Sequence, residues 1–69
     1  MTRLKILGQN IKKYREQRNL SQNQLAELVN LSREHIGSVE IGKDFLSLKK
    51  LFEIADVLEI PVKKLIDFN

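Results

Sequence analysis

Residues 22–39 read QNQLAELVNLSREHIGSV, and the order of residue types from Gln22 to Val39 restricts the chain more than any other stretch. Leu25, Leu28 and Val29 form a short buried stripe at helical spacing, with Ala26 beside them. Asn30 tolerates the left-handed backbone that ends a helix, and Ser32 at once caps another. A connection of roughly three residues makes the two helices cross steeply instead of lying antiparallel. In the second helix Ile36 and Val39 are the inward positions, whereas Arg33, Glu34, Gly37 and Ser38 point elsewhere. The small Ala26 suits the crossing, because a larger side chain would push one helix off the other.

Upstream, Leu4, Leu7, Ile11 and Tyr14 recur at spacings of three and four, which predicts a helix over residues 4–17. The stripe is expected in the core, with Tyr14 keeping a wet hydroxyl. Arg15 and Arg18 oppose the negative end of its macrodipole, and Asn19 suits the position just past it. Ser21 with Gln24 fits a capping box that starts the next helix. Downstream, Gly42 closes the helix that Ser32 opens, residues 43–46 form a loop, and Ser47 caps a helix with Leu48, Leu51, Ile54, Ala55 and Leu58 inward. Pro61 fits the first turn of a last short helix carrying Leu65 and Ile66. The expectation is an all-α chain of five helices, one domain over residues 1–69, with no strand, repeat or low-complexity segment.

Composition narrows the function. With no cysteine and only His35 as an imidazole, neither a disulfide framework nor a zinc site is expected, and no cofactor or small-molecule ligand is evident. The longest apolar run is two residues, as in Ile6-Leu7, so no membrane association is expected and a reduced, cytoplasmic location is. The net charge of +3 is unevenly spread. Residues 1–33 carry seven bases and two acids, a balance of +5, whereas residues 34–69 carry five and seven, a balance of −2. The basic front half points to a polyanionic partner. Lys12, Lys13 and Arg18 are expected in solvent. Catalysis is not expected, because no nucleophile or orienting carboxylate accompanies His35.

The Gln22–Val39 pattern resembles a helix-turn-helix. With Leu7-Gly8, Ile11, Arg15, Leu20-Ser21, Glu40, Gly42-Lys43, Ser47-Leu48 and the apolar spacing from Leu51 to Leu65 around it, the chain is similar to the phage repressor and Cro type of regulators, the XRE family. The resemblance covers residues 4–68. It implies a compact five-helix, lambda-repressor-like domain whose third helix, residues 32–41, enters the DNA major groove. Base contacts would fall on Arg33, Glu34 and Ser38, with Gly37 alongside: Arg33 suits guanine bidentately and Glu34 suits the cytosine amino group. Phosphate contacts would fall on Gln22 and Lys43, with His35 as a further phosphate or solvent contact. Arg15 and Glu40 match a structural ion pair between helices one and three. Because adjacent residues do not face each other on a helix, Arg33 and Glu34 are not expected to pair.

The sequence departs from the family pattern in four places. Asn30 replaces the usual turn glycine. Gly37 lies within a helix, either to let backbone approach DNA or as drift. Ile41 replaces a polar residue near phosphate, and Phe45-Leu46 puts apolar side chains in a loop, either as core flaps or as a partner surface. The implied function is a transcriptional regulator that binds an inverted-repeat operator in double-stranded DNA as a homodimer. Its copies would meet through Val62 and Leu65, extended by Phe45, Leu46 and Ile66. An antitoxin-type regulator that also binds a toxin, and a protein-interaction module of the same fold, are the alternatives.

Overall fold

The computed structural model describes residues 2–68. Four α-helices follow in order: α1 (Arg3–Gln17), α2 (Gln22–Leu28), α3 (Arg33–Glu40) and α4 (Leu48–Leu58). The expected fifth helix is instead one 3-10 turn, Val62–Lys64. Pro61 precedes that turn in extended backbone, and the few residues after it close no further helical ladder. No helix among the described residues is long and apolar enough to cross a membrane.

Each helix starts and stops by the same local chemistry. Thr2, Ser21, Ser32 and Ser47 accept from the amide three residues on, and Gln24 completes the capping box by accepting from the Ser21 amide at 2.8 Å. At the other ends Asn19, Asn30, Gly42 and Glu59 take positive φ. The amide after each reaches back five residues: Leu20 to the Arg15 carbonyl, Leu31 to Ala26, Lys43 to Ser38 and Ile60 to Ala55, at 2.8–3.1 Å. These paired bonds satisfy carbonyls that a helix end leaves open. Glu59 is the unforeseen member of this set, since glutamate carries no left-handed preference.

The core collects Leu7 and Ile11 from α1, Leu25 and Ala26 from α2 with Val29 just beyond, Ile36 and Val39 from α3, Leu51, Ile54, Ala55 and Leu58 from α4, and Leu65 from the tail. Burying each of the larger aliphatic side chains stabilises the fold by about 1.5–3 kcal/mol. Three residues expected inside lie outside. Leu28 is 59% exposed, because at 100° per residue it falls beyond the arc that Leu25, Val29 and Ala26 share. Leu4 lies in the first turn of α1, ahead of the stretch that packs on the core. Leu48 stands on the flank of α4 beside Phe52, both exposed. Tyr14 is half-buried against the core.

Helix α1 lies against α3 so closely that a Cβ on Gly8 would collide with the Val39 and Glu40 carbonyls. Seven residues along the same face, Arg15 meets Glu40 in a buried fork: Nε donates to Oε2 at 2.7 Å and Nη2 to Oε1 at 3.0 Å. The remaining guanidinium nitrogen donates to the Leu20 carbonyl at 2.7 Å, and Gln22 Nε2 donates to Glu40 Oε1 at 3.0 Å. One carboxylate thus joins α1, α2 and α3. Its hydrogen bonds raise the Arg15 pKa above the ordinary arginine value, outweighing burial, which acts in the opposite direction. A raised basic pKa contributes stability that is complete below the ordinary value and is lost only as pH climbs beyond it, so Arg15 confers no pH dependence near neutrality.

Arg18 is exposed, as expected, and its guanidinium also reaches the end of α4. It donates to the Leu58 carbonyl at 3.1 Å and pairs with Glu59, putting a cation at the negative end of that helix. Lys50 does the same for α2, with Nζ 2.6 Å from the Val29 carbonyl and 3.1 Å from Glu53.

Two substitutions test this packing. Arg15→Ala strands the buried Glu40 carboxylate and is expected to cost about 3–5 kcal/mol, read by urea unfolding. Gly8→Ala would gain about 1 kcal/mol of helix propensity on an exposed helix; here it is expected to lower the melting temperature, because overpacking costs about 1–3 kcal/mol. A melting temperature at or above that of the wild type would show that the α1–α3 contact yields.

Candidate DNA-binding surface

Helix α3 presents two faces. Ile36, Val39 and Glu40 are buried, and the helical rotation places Glu34, Gly37, Ser38 and Ile41 on the outer arc, with the exposed Arg33 at its edge beside Glu40. Arg33 and Glu34 are exposed in the first turn, directly after the Ser32 cap. They do approach each other, at 3.8 Å, contrary to the expectation from their adjacency: both side chains are long, and a first-turn position lets them swing together. An exposed contact at that length holds neither group. Ser38 and Gly37 are half-buried further along the arc.

Gln22 is the first residue of α2 and stands beside this arc while bonded to Glu40. A Cβ on Gly37 would lie 3.6 Å from Gln22 Oε1, an ordinary contact, so the chain itself does not require glycine there. Lys43 is exposed and follows Gly42, whose φ of 79° turns the chain out of α3. His35 lies on the other flank of α3. Its Nε2 is 3.1 Å from the Phe45 carbonyl and 3.6 Å from Asp44, so the ring ties the first turn of α3 to the α3–α4 loop. The Phe45 amide in turn donates to Asp44 Oδ1 at 2.8 Å.

Sequence reasoning passed over Asp44, although aspartate in a short loop is itself a turn signal. It also passed over Lys50, for which no local signal exists. The residues expected to join two copies are scattered. Phe45 is 67% exposed and Ile66 is exposed, while Leu46 and Val62 pack against the core. Leu65 is a correction: at 0% exposure it is spent inside its own chain and has no surface to offer a second copy.

With that geometry in place, likeness to known proteins is informative. A helix-turn-helix family model matches residues 11–65. The control protein C.SmaI of Serratia marcescens is 44% identical over 61 residues, spanning 88% of this chain and 73% of that one. The crystal structure of the restriction-modification controller protein C.AhdI from Aeromonas hydrophila matches with a TM-score of 0.85 at 35% identity, covering 90% of this chain and 94% of that one. The structure of SinR, the master regulator for biofilm formation, in complex with DNA matches with a TM-score of 0.83 at 31% identity, over 88% of this chain and 98% of that one. Together with the capped, outward-facing α3 held by Glu40, they place the chain in a family of DNA-binding transcriptional regulators: it belongs to the XRE-type helix-turn-helix family.

Proposed function

We propose that this chain is an operator-binding regulator of the repressor or controller type that acts in the cytoplasm, without catalysis, and binds DNA as a homodimer. The observation that carries the proposal is the outer arc of α3: Arg33 and Glu34 are exposed and Gly37 and Ser38 half-buried beside them, on a helix whose inner side is locked by the Arg15–Glu40–Gln22 network. In this proposal the arc lies in the major groove. Arg33 selects guanine, Glu34 accepts from cytosine, and the missing side chain at Gly37 lets the helix approach the bases. Gln22 and Lys43 contact phosphates on either side, and His35 offers its second ring nitrogen. Likeness to two proteins named as controllers favours the controller role.

A two-fold dimer sets its recognition helices one helical turn apart, about 34 Å, which gives an inverted repeat with half-site centres about 10 base pairs apart. The proposed contact between copies uses Phe45 and Leu46, extended by the exposed Leu48 and Phe52 on the adjoining flank of α4. Sedimentation at rising concentration, free and on DNA, tests that contact; a strict monomer in both states removes it.

Selection of bound sequences from random duplexes is the deciding experiment. The selected site is expected to be an inverted repeat. Arg33→Ala is expected to relax preference at one guanine per half-site by about 1–3 kcal/mol. Lys43→Ala is expected to weaken binding to every sequence and to reduce the salt slope by about one. Gly37→Ala separates folding from binding. It should stabilise the free chain by up to about 1 kcal/mol and weaken DNA binding. If Arg33→Ala leaves every base preference intact, α3 is not the reading element.

A further inference from the structure

The DNA-facing arc leaves part of the basic charge unexplained. On the far side of α1, Tyr14, Lys63, Lys64, Ile66 and Asp67 line an open cleft of about 480 Å³. Lys13 Nζ lies 5.1 Å from the centre of the Tyr14 ring. Tyr14 also walls an adjoining cleft of about 280 Å³ that runs along Gln17 and Arg18 to the end of α4. Asn10 fixes the cleft's outer wall by donating to the Leu65 and Asp67 carbonyls at 2.9 and 3.1 Å.

The cleft is not on the DNA side. Gly8 and Arg15 mark the face of α1 that packs on α3, and Tyr14 stands 120° and 100° away from them at the helical rotation of 100° per residue. A stiff duplex seated on the outer arc of α3 does not wrap to that side. The site has one character throughout: an aromatic wall, an apolar floor at Ile66, and three lysines against the single Asp67. At the far end Arg18 is already neutralised by Glu59.

We propose that this cleft docks an acidic polypeptide segment that inserts one apolar side chain beside Tyr14 and Ile66 and lays its carboxylates against Lys13, Lys63 and Lys64. Charge complementarity selects the occupant. The open, elongated shape suits an extended chain, since small-molecule sites enclose most of their ligand. A second copy is disfavoured, because an isologous contact through the same patch sets Lys63 and Lys64 against their own counterparts. The chain therefore has a partner surface that remains free while α3 is on DNA, which suits a regulator that meets another protein at its operator. The docking claim stands on the cleft's own lining, whereas its being free while α3 is on DNA rests on the operator-binding reading.

The test is an NMR titration of the isotope-labelled full chain at low salt with a short synthetic peptide of aspartate and glutamate around a central leucine. The same peptide with asparagine and glutamine in place of the acids is the control. Shift changes are expected at Lys13, Tyr14, Lys63, Lys64 and Ile66 with the acidic peptide alone, and replacing its leucine by serine should weaken them. Lys63→Glu with Lys64→Glu, at exposed positions where the fold tolerates them, is expected to weaken the peptide about tenfold through the loss of two exposed ion pairs. The double variant should leave sedimentation and duplex affinity unchanged. Absence of saturable binding, or shift changes centred on Arg33, Glu34 and Ser38, overturns the proposal. An equal loss of duplex affinity in the double variant would assign the lysines to DNA instead, and a change in sedimentation would assign the cleft to contact between copies.

Discussion

The buried carboxylate of Glu40 is the constraint on which the rest of this structure depends. It sits on the inner side of α3 and is held by Arg15 from α1 and Gln22 from α2. A charge taken out of water is costly unless every lone pair finds a partner, so the network defines one relative placement of three helices. Gly8 lets the same two helices approach until backbone meets Cβ-free backbone. The outer face of α3 is therefore positioned from behind, by Arg15, Glu40 and the close approach at Gly8.

A chain of 69 residues has a small apolar core, and its local chemistry compensates. All four α-helices are capped by a hydroxyl at one end and closed through a left-handed residue at the other. Cations from other helices then complete two ends: Arg18 from the end of α1 serves α4, and Lys50 from α4 serves α2. These long-range caps let short helices such as the seven-residue α2 persist. Isolated helices below about 12 residues are marginal in water.

The charge asymmetry visible along the chain divides further in three dimensions. Arg15 is buried against Glu40, and Arg18 is paired at the surface with Glu59 at the end of α4. Lys43 and Arg33 lie by the outer arc of α3, whereas Lys13, Lys63 and Lys64 gather around Tyr14 on another side. The basic side chains of the two halves thus resolve into an ion-paired group, a group by the outer arc of α3 and a group around the cleft.

Much was legible in the residues themselves. Hydroxyl caps, the asparagine turns, the apolar spacing and the helix-turn-helix pattern depend on neighbours a few positions apart, and local chemistry decides them. The outer arc of α3 follows from the same periodicity. Other features belong to tertiary structure. Arg18 and Lys50 have no local partner that reveals their carbonyls, and Glu59 takes positive φ against its own preference. Leu48 and Leu65 show the limit most plainly: one leucine keeps to helical spacing yet faces water, and the other follows the last turn yet is wholly buried. Spacing tells which residues share a face; only the packing of distant elements decides whether that face is covered.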